Sequence, residues 1–361
     1  MIVARRGGGG GASRAGDAFL LAGFGAAGLG LLAGVVVLAG ASPVGVARAL
    51  AQGAAGNRYN RAETLVAAIP LLLTGLGVAL AFRARLFNIG AEGQFLVGAV
   101  AATWVGASHG VPTVVHLPLL LVAGAAGGAF WSGMAGILRV RRGVPEVLST
   151  LLLNFVALQL VAWMVRGPLQ ETGRAFPQTD KIAVPARLVL LQGATLAEPA
   201  TRLHAGIFLA LVCAASVWFY LTWTAGGFAL RAVGAGPEAA EAAGIPINRT
   251  LATTFLLSGA LSGLAGAVQV SGVTYFLSDR YSPGYGYTAI AVALLANLSP
   301  PAILLSALFF GALTAGSTTV QQAGISGNVV GVLQAVVLLS LLGYSWARER
   351  RRRRKSAGGE D

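Results

Sequence analysis

The chain has 361 residues, 55% of them hydrophobic and only 11% charged, with a mean hydropathy of +0.72. Soluble domains carry about 25% charged residues, so a water-exposed globular surface is excluded and a polytopic membrane protein is indicated. The net charge of +13 does not point to nucleic acid, because aromatics are not interleaved with the cations and the arginines gather at segment ends and in the tails.

A spanning helix needs about 20 mostly apolar residues. Along this chain that length predicts spans over 18–40, 64–82, 86–106, 117–138, 147–165, 203–223, 251–275, 286–299, 301–320 and 326–346. The first is a span and not a cleavable leader, since Arg5, Arg6 and Arg14 precede an apolar run long enough to cross. The shortest, 286–299, runs into Pro300-Pro301 and reads as a broken or re-entrant segment. The expected fold is therefore all-α, with about ten transmembrane helices and one or two broken or re-entrant segments. Residues 1–17 form a flexible tail rich in glycine, 18–346 the membrane domain, and 347–361 a basic tail.

Cytoplasmic segments carry an excess of Lys and Arg. Placing the N-terminus inside puts Arg5, Arg6, Arg14, Arg83, Arg85, Arg139, Arg141, Arg142, Arg231, Arg249 and the tail ARERRRRRK on that side. An even number of spans then keeps both tails inside. Residues 166–202 become an extracytoplasmic loop and 224–250 the largest cytoplasmic one. Within the latter, PEAAEAA has proline at a helix start, glutamates in its first turns and Gly244 as a stop. Such an element suits docking to another protein or serves as a solvated connection. Gly124/Gly128 and Gly259/Gly263 have the small-xxx-small spacing of close helix contacts.

Several chemistries are missing. The two lysines, Lys181 and Lys355, lie outside any Gly-Lys-Ser/Thr context, so the chain has no phosphate-cradling loop of its own. His109, His116 and His204 fall near predicted segment ends without cysteine or carboxylate at metal-ligand spacing. Cys213 is the single cysteine, and no Gly-x-Ser-x-Gly elbow is present. Glu92 is the one carboxylate well inside a predicted span, which is too few for a proton relay or ion path. A path for a neutral or weakly charged solute fits better than an intramembrane enzyme or scaffold.

The stretch LFNIGAEGQFLVGAV, 86–100, puts Asn88, Glu92 and Gln94 among apolar residues, with Gly90 and Gly93 between them. The glycines weaken a helix there, and Glu92 is expected at or just before a helix start, where the helix dipole favours an anion.

Four blocks together resemble one family. FNIGAEGQ (87–94), PEVLSTLLLNFVAL (145–158) with VRGPLQ (165–170), GFALRAVGAGPEAAEAAGI (227–245) and SPGYGYTAIAVALLANLSP (282–300) occur in the order seen in ATP-binding-cassette importer permeases of the nucleoside and simple-sugar group, within the larger branched-chain amino acid permease class. The resemblance implies a pore of two identical or homologous permease subunits in a bacterial plasma membrane. It also implies two separate cytoplasmic ATPase subunits, with ATP and Mg bound there and no cofactor on this chain, and an extracytoplasmic binding protein or lipoprotein that delivers the solute. Nucleosides are the expected solute, with simple sugars or another small polar solute as the alternative. Arg231, Glu238, Ala239, Ala240, Glu241 and Gly244 would form the ATPase-coupling element. Asn88, Glu92, Gln94, Asn154, Tyr285 and Tyr287 would border the solute path, amides and carboxylate bonding hydroxyls or base edges and tyrosines stacking on a flat base. Two roles are open to Asn154, solute contact or a hydrogen bond between helices, and to the tyrosines, solute contact or a place in the interfacial belt.

Overall fold

The computed structural model describes residues 10–38, 40–191, 201–279 and 281–325, with 331–336, 339–340, 343–344 and 347 beyond them. The basic tail after 347 and most of the expected span 326–346 lie outside the described residues. Twelve α-helices are described: α1 Gly10–Leu38, α2 Pro43–Ala55, α3 Arg58–Arg83, α4 Ala91–Gly106, α5 Thr113–Arg142, α6 Glu146–Arg166, α7 Gly206–Trp223, α8 Ala225–Ala235, α9 Pro237–Ala242, α10 Ile247–Gln269, α11 Tyr285–Leu295 and α12 Pro300–Gln322. A π-helical turn, Val270–Thr274, extends α10. Among the described residues, β-pairing is limited to two isolated bridges. The all-α expectation holds.

Among the described residues, six helices are long and apolar enough to cross a membrane alone: α3, α5, α6, α7, α10 with its π turn, and α12. Gly23–Leu38 and Pro43–Ala55, bent by 102°, would together supply a seventh. Of the ten expected spans, 326–346 lies mostly outside the described residues, and two others are not helices long enough to cross alone. In 86–106 the helix begins only at Ala91, leaving 16 residues, and in 286–299 it has 11 residues. At 1.5 Å per residue these rise about 24 and 16 Å, short of the ~30 Å hydrocarbon core. The helix α2 was not expected, and the loop 224–250 holds two helices, α8 and α9, where one was expected.

The chain divides into two compact units. In the smaller, residues 1–53 and 317–361, Gly28 of α1 lies against Val336 and Ser340. The larger, residues 54–316, is built around α10. Lipid tails are as apolar as leucine, so helices associate in a bilayer by close packing and not by escaping water. The sequence meets that demand with glycine. A Cβ on Gly263 would overlap Gly124 O and lie 2.7 Å from Gly128 Cα, and one on Gly98 of α4 would lie within overlap of Gly263 itself. Both small-xxx-small pairs thus face each other across the α5–α10 seam. On another face of α10, a Cβ on Gly77 of α3 would sit 2.6 Å from Ser258 O. The Ser132 hydroxyl adds a bond to Phe255 O at 2.7 Å between α5 and α10.

Burial separates the spans. The apolar window of α3 is 83% buried, against 22%, 28% and 28% for α5, α6 and α7. The outer helices therefore present large apolar side chains such as Phe130, Phe155, Trp163 and Phe219 outward.

The expected loop 166–202 is partly bound down. Thr179 N donates to Leu277 O, Ile182 N to Tyr275 O and Leu188 N to Ser271 O, at 2.8–2.9 Å. These bonds take up carbonyls left open where α10 loosens into its π turn and stops at Tyr275, whose φ is +63°. The Arg187 guanidinium covers the Tyr275 ring at 4.7 Å, and Arg166 pairs with Asp279 at 2.5 Å. Asp180, exposed in this segment, accepts bonds from the Thr172 amide and hydroxyl, which hold its carboxyl below the usual range.

Gly263→Val is expected to cost at least about 3 kcal/mol through overpacking of the α5–α10 seam. The check is thermal unfolding and monodisperse yield in detergent, with Gly30→Ala, which meets no neighbour, leaving both unchanged.

Candidate functional site

Inside a bilayer every backbone N–H and C=O needs a partner from the protein. Between α3 and α4 the backbone leaves helical geometry at Arg85, φ +56°, and runs to Gly90 without helical bonds of its own. The face of α6 that meets it carries Glu146, Thr150 and Asn154, spaced four apart and so in one row. Glu146 Oε1 accepts from Phe87 N at 3.4 Å, and Thr150 Oγ1 from Ile89 N at 3.3 Å. Asn154 Nδ2 donates to Ile89 O at 2.9 Å, and Asn154 Oδ1 accepts from Gly93 N at 2.9 Å. At the end of the row, Glu146 also pairs with Arg139 at 3.3 Å. From Glu146 to Asn154 is a rise of about 12 Å, so the start of α4 lies more than two turns along α6 from its first residue.

Asn88 turns the segment into α4. Its Oδ1 accepts from Gly90 N (3.0 Å) and Gln94 Nε2 (2.9 Å), and its Nδ2 donates to Gln94 Oε1 (3.2 Å) and Ser258 Oγ (3.0 Å). Both N–H groups and both carbonyl lone pairs of Asn88 are thereby engaged, and Asn88, Gln94 and Asn154 are all buried.

Glu92 is the second residue of α4, so the expected carboxylate at a helix start is what the structure has. Its charge also reaches a second helix. Glu92 Oε2 accepts from Gly286 N at 2.7 Å, and Gly286 is the second residue of α11. The Ser282 hydroxyl bonds the same carboxylate. A Cβ on Gly286 would lie 2.6 Å from Ala91 C and overlap Glu92, so only glycine lets these two helix starts meet. Two half-helices thus place their positive ends at one buried carboxylate. Around it, Phe95 packs on Tyr281 and Tyr285 with ring centroids 5.9 and 5.7 Å away. Tyr285 is half-buried. Tyr287 is 42% exposed, with its hydroxyl accepting from Asn154 Nδ2 at 3.3 Å.

The six residues expected along a solute path therefore gather at one place. Asn154 does join helices, bonding elements on both sides of the break. Sequence reasoning passed over Thr150, Ser258, Ser282 and Gly286. The spacing 146/150/154 was a visible signal for Thr150, whereas nothing in sequence connects Gly286 to Glu92, 194 positions away.

The expected coupling element folds as two helices joined at Gly236, which is in extended conformation. Thr224 caps α8 by accepting from Gly227 N at 3.0 Å, and Gly236 separates α8 from α9. Gly244, φ +79°, ends α9, with Ile245 N returning to Ala240 O at 3.0 Å. Glu238, Ala239 and Glu241 are exposed and Arg231 half-buried. Ala240 is buried at 4% exposure, so it packs into its own chain and is not part of the outward face. Helical periodicity alone could not say which alanine faced in.

Residues 60–342 match the family described as the branched-chain amino acid transport system permease component. The chain is 38% identical over 291 residues to a glucose ABC transporter permease protein of Haloferax volcanii, covering 79% of this chain and 77% of the relative. It is 37% identical to a guanosine ABC transporter permease protein of Bacillus subtilis, covering 86% and 89%, and 34% identical to a nucleoside ABC transporter permease protein of Lactococcus lactis subsp. cremoris, covering 85% and 86%. No solved structure matches. With the family matched over most of its length and two interrupted half-helices meeting inside a bundle of apolar spans, the chain belongs to the branched-chain amino acid transport system permease family and is a multi-pass membrane protein.

Proposed function

We propose that this chain is the permease subunit of an ATP-binding-cassette importer that carries nucleosides across a bacterial plasma membrane. It would pair with a second permease subunit, two cytoplasmic ATPase subunits and an extracytoplasmic binding protein. The observation that carries the reading is the junction of two half-helices at Glu92. Discontinuous helices meeting at mid-membrane are the arrangement in which many transporters build a solute site. The guanosine and nucleoside relatives supply the solute class.

The chemistry of the junction fits a neutral, flat, hydroxylated solute. Asn88, Gln94 and Asn154 spend their amides on the broken backbone and shape the path as supports. Glu92 holds α4 and α11 together. The exposed Tyr287 ring and the half-buried Tyr285 ring are left as surfaces for a base to stack on. A glucose relative at 38% identity favours a second reading, import of a simple sugar.

ATP-driven closure of the partner subunits would act through α9, whose outward face is Glu238, Ala239 and Glu241, ended by Gly244, with Arg231 on α8 behind it. The permease itself would bind no cofactor, ATP and Mg residing on the ATPase.

The test of the whole reading is ATP-driven uptake of guanosine against glucose by the complete complex in proteoliposomes; glucose uptake without guanosine uptake selects the second reading. Four variants at three positions probe its parts. Glu92→Gln keeps an oxygen for Gly286 N but removes the charge, which weakens the bond by about 1–2 kcal/mol, so uptake at equal protein level should fall about tenfold. Tyr287→Phe should import guanosine at close to the unaltered rate, while Tyr287→Ala should lose about three- to tenfold for a stacking contact of 0.5–1.5 kcal/mol. Equal losses would assign the effect to the bond with Asn154. Ala239→Trp should abolish co-purification of the ATPase subunit while the permease stays monodisperse in detergent.

A further inference from the structure

The half-helix α11 is gripped at both ends by residues nine positions apart in the chain, Glu92 at its start and Arg83 at its finish. Arg83 Nε donates to Leu298 O at 2.8 Å. Leu298 lies in the turn joining α11 to α12, where Asn297 and Leu298 both have positive φ, +49° and +58°. Left-handed conformation is disfavoured for residues with a Cβ, and two in succession persist only where the surroundings hold them. The guanidinium is one such hold, and Leu298 N, bonded to Ala293 O at 2.9 Å, is another.

The same arginine is the floor on which α8 rests. A Cβ on the buried Gly234 of α8 would overlap Arg83 O and lie 2.9 Å from Arg83 C and 3.3 Å from Ala84 Cα. Backbone meets backbone there, with no side chain between to absorb a shift. Arg231, one turn earlier on α8, lies near enough to Arg83 for their like charges to interact, so little attraction between the side chains fixes this joint. A displacement of α8 and α9 must therefore press directly on residue 83. From there it reaches the end of α11, and α11 is pinned at its other end to Glu92.

We propose that Arg83 is the positioning residue that converts movement of the α8–α9 element into movement of the half-helix α11 at the solute junction. This rests on the importer reading and adds to it the link between its coupling face and its path. As a positive charge at a segment end only, Arg83 would set insertion and yield, and its loss would leave solute imported per ATP unchanged. As a link, it needs a donor that reaches Leu298 O. Glutamine on a shorter stem should not reach it, while lysine keeps a donor on a stem of similar length.

The test uses the complete complex in proteoliposomes, measuring solute imported per ATP hydrolysed with guanosine and glucose as probes. Arg83→Gln should hydrolyse ATP at close to the unaltered rate while importing at least tenfold less per ATP, and Arg83→Lys should recover a large part of that ratio. An unchanged ratio in Arg83→Gln overturns the proposal, as does a loss that is the same for Gln and Lys. Should the Gln variant fail to assemble, thiol labelling decides. In the chain carrying Cys213→Ser and Ser299→Cys, the labelling rate should change severalfold when a non-hydrolysable ATP analogue binds the partner ATPase. The change should shrink when Arg83→Met, which has no donor for Leu298 O, is added, and return with Arg83→Lys. No nucleotide effect at position 299, or one that Arg83→Met leaves untouched, overturns the link. Absence of ATP-driven uptake by the unaltered complex would instead refute the importer reading, so the two failures are distinguishable.

Discussion

A hydrocarbon interior offers no partner to an open backbone amide, and the rest of this structure depends on how the chain meets that constraint where its helices stop short. An uninterrupted span satisfies itself. The segment before α4 does not, and its N–H and C=O groups are taken up by a row of side chains on α6 and by the Asn88–Gln94 amide pair. The segment before α11 ends on the Glu92 carboxylate. Asn88, Glu92, Gln94 and Asn154, all buried, serve the places where helical geometry has been given up.

Interruption creates what a continuous bundle lacks. A helix end exposes unpaired amides and a partial positive charge, and two such ends brought together need an anion. Glu92 supplies it, and its own location in the first turn of α4 makes one carboxylate serve both helices. The tyrosines and Phe95 then surround a region that is polar in its supports and aromatic on its accessible face. In the importer proposed above, such a lining would hold a neutral ring-bearing solute without binding it tightly.

The interruptions are tolerable because the surrounding helices are locked by close packing. Glycines on α4, α5 and α10 bring backbones into direct contact, which makes the α10-centred bundle a stiff frame for shorter elements. The same device recurs at Gly286 and Gly234, where a half-helix and α8 lie directly on neighbouring backbone. Stiff contacts of this kind pass displacement on, whereas long side chains would bend and absorb it.

Much of this was legible without coordinates. Apolar run lengths fixed the fold class, the small-xxx-small pairs marked the α5–α10 seam, and Gly90 with Gly93 located the break and put Glu92 at a helix start. The order of four motif blocks identified the family. Those features are local, governed by the length needed to cross hydrocarbon and by backbone preferences of single residues. Only the tertiary structure decided that Glu92 reaches Gly286, that Thr150 and Asn154 repair the break, that Ala240 faces inward while Ala239 faces out, and that Arg83 holds the end of α11. Each of these is a contact between elements far apart in sequence. A helical period of 3.6 repeats identically whichever face is buried, and it carries no record of what the other element will be.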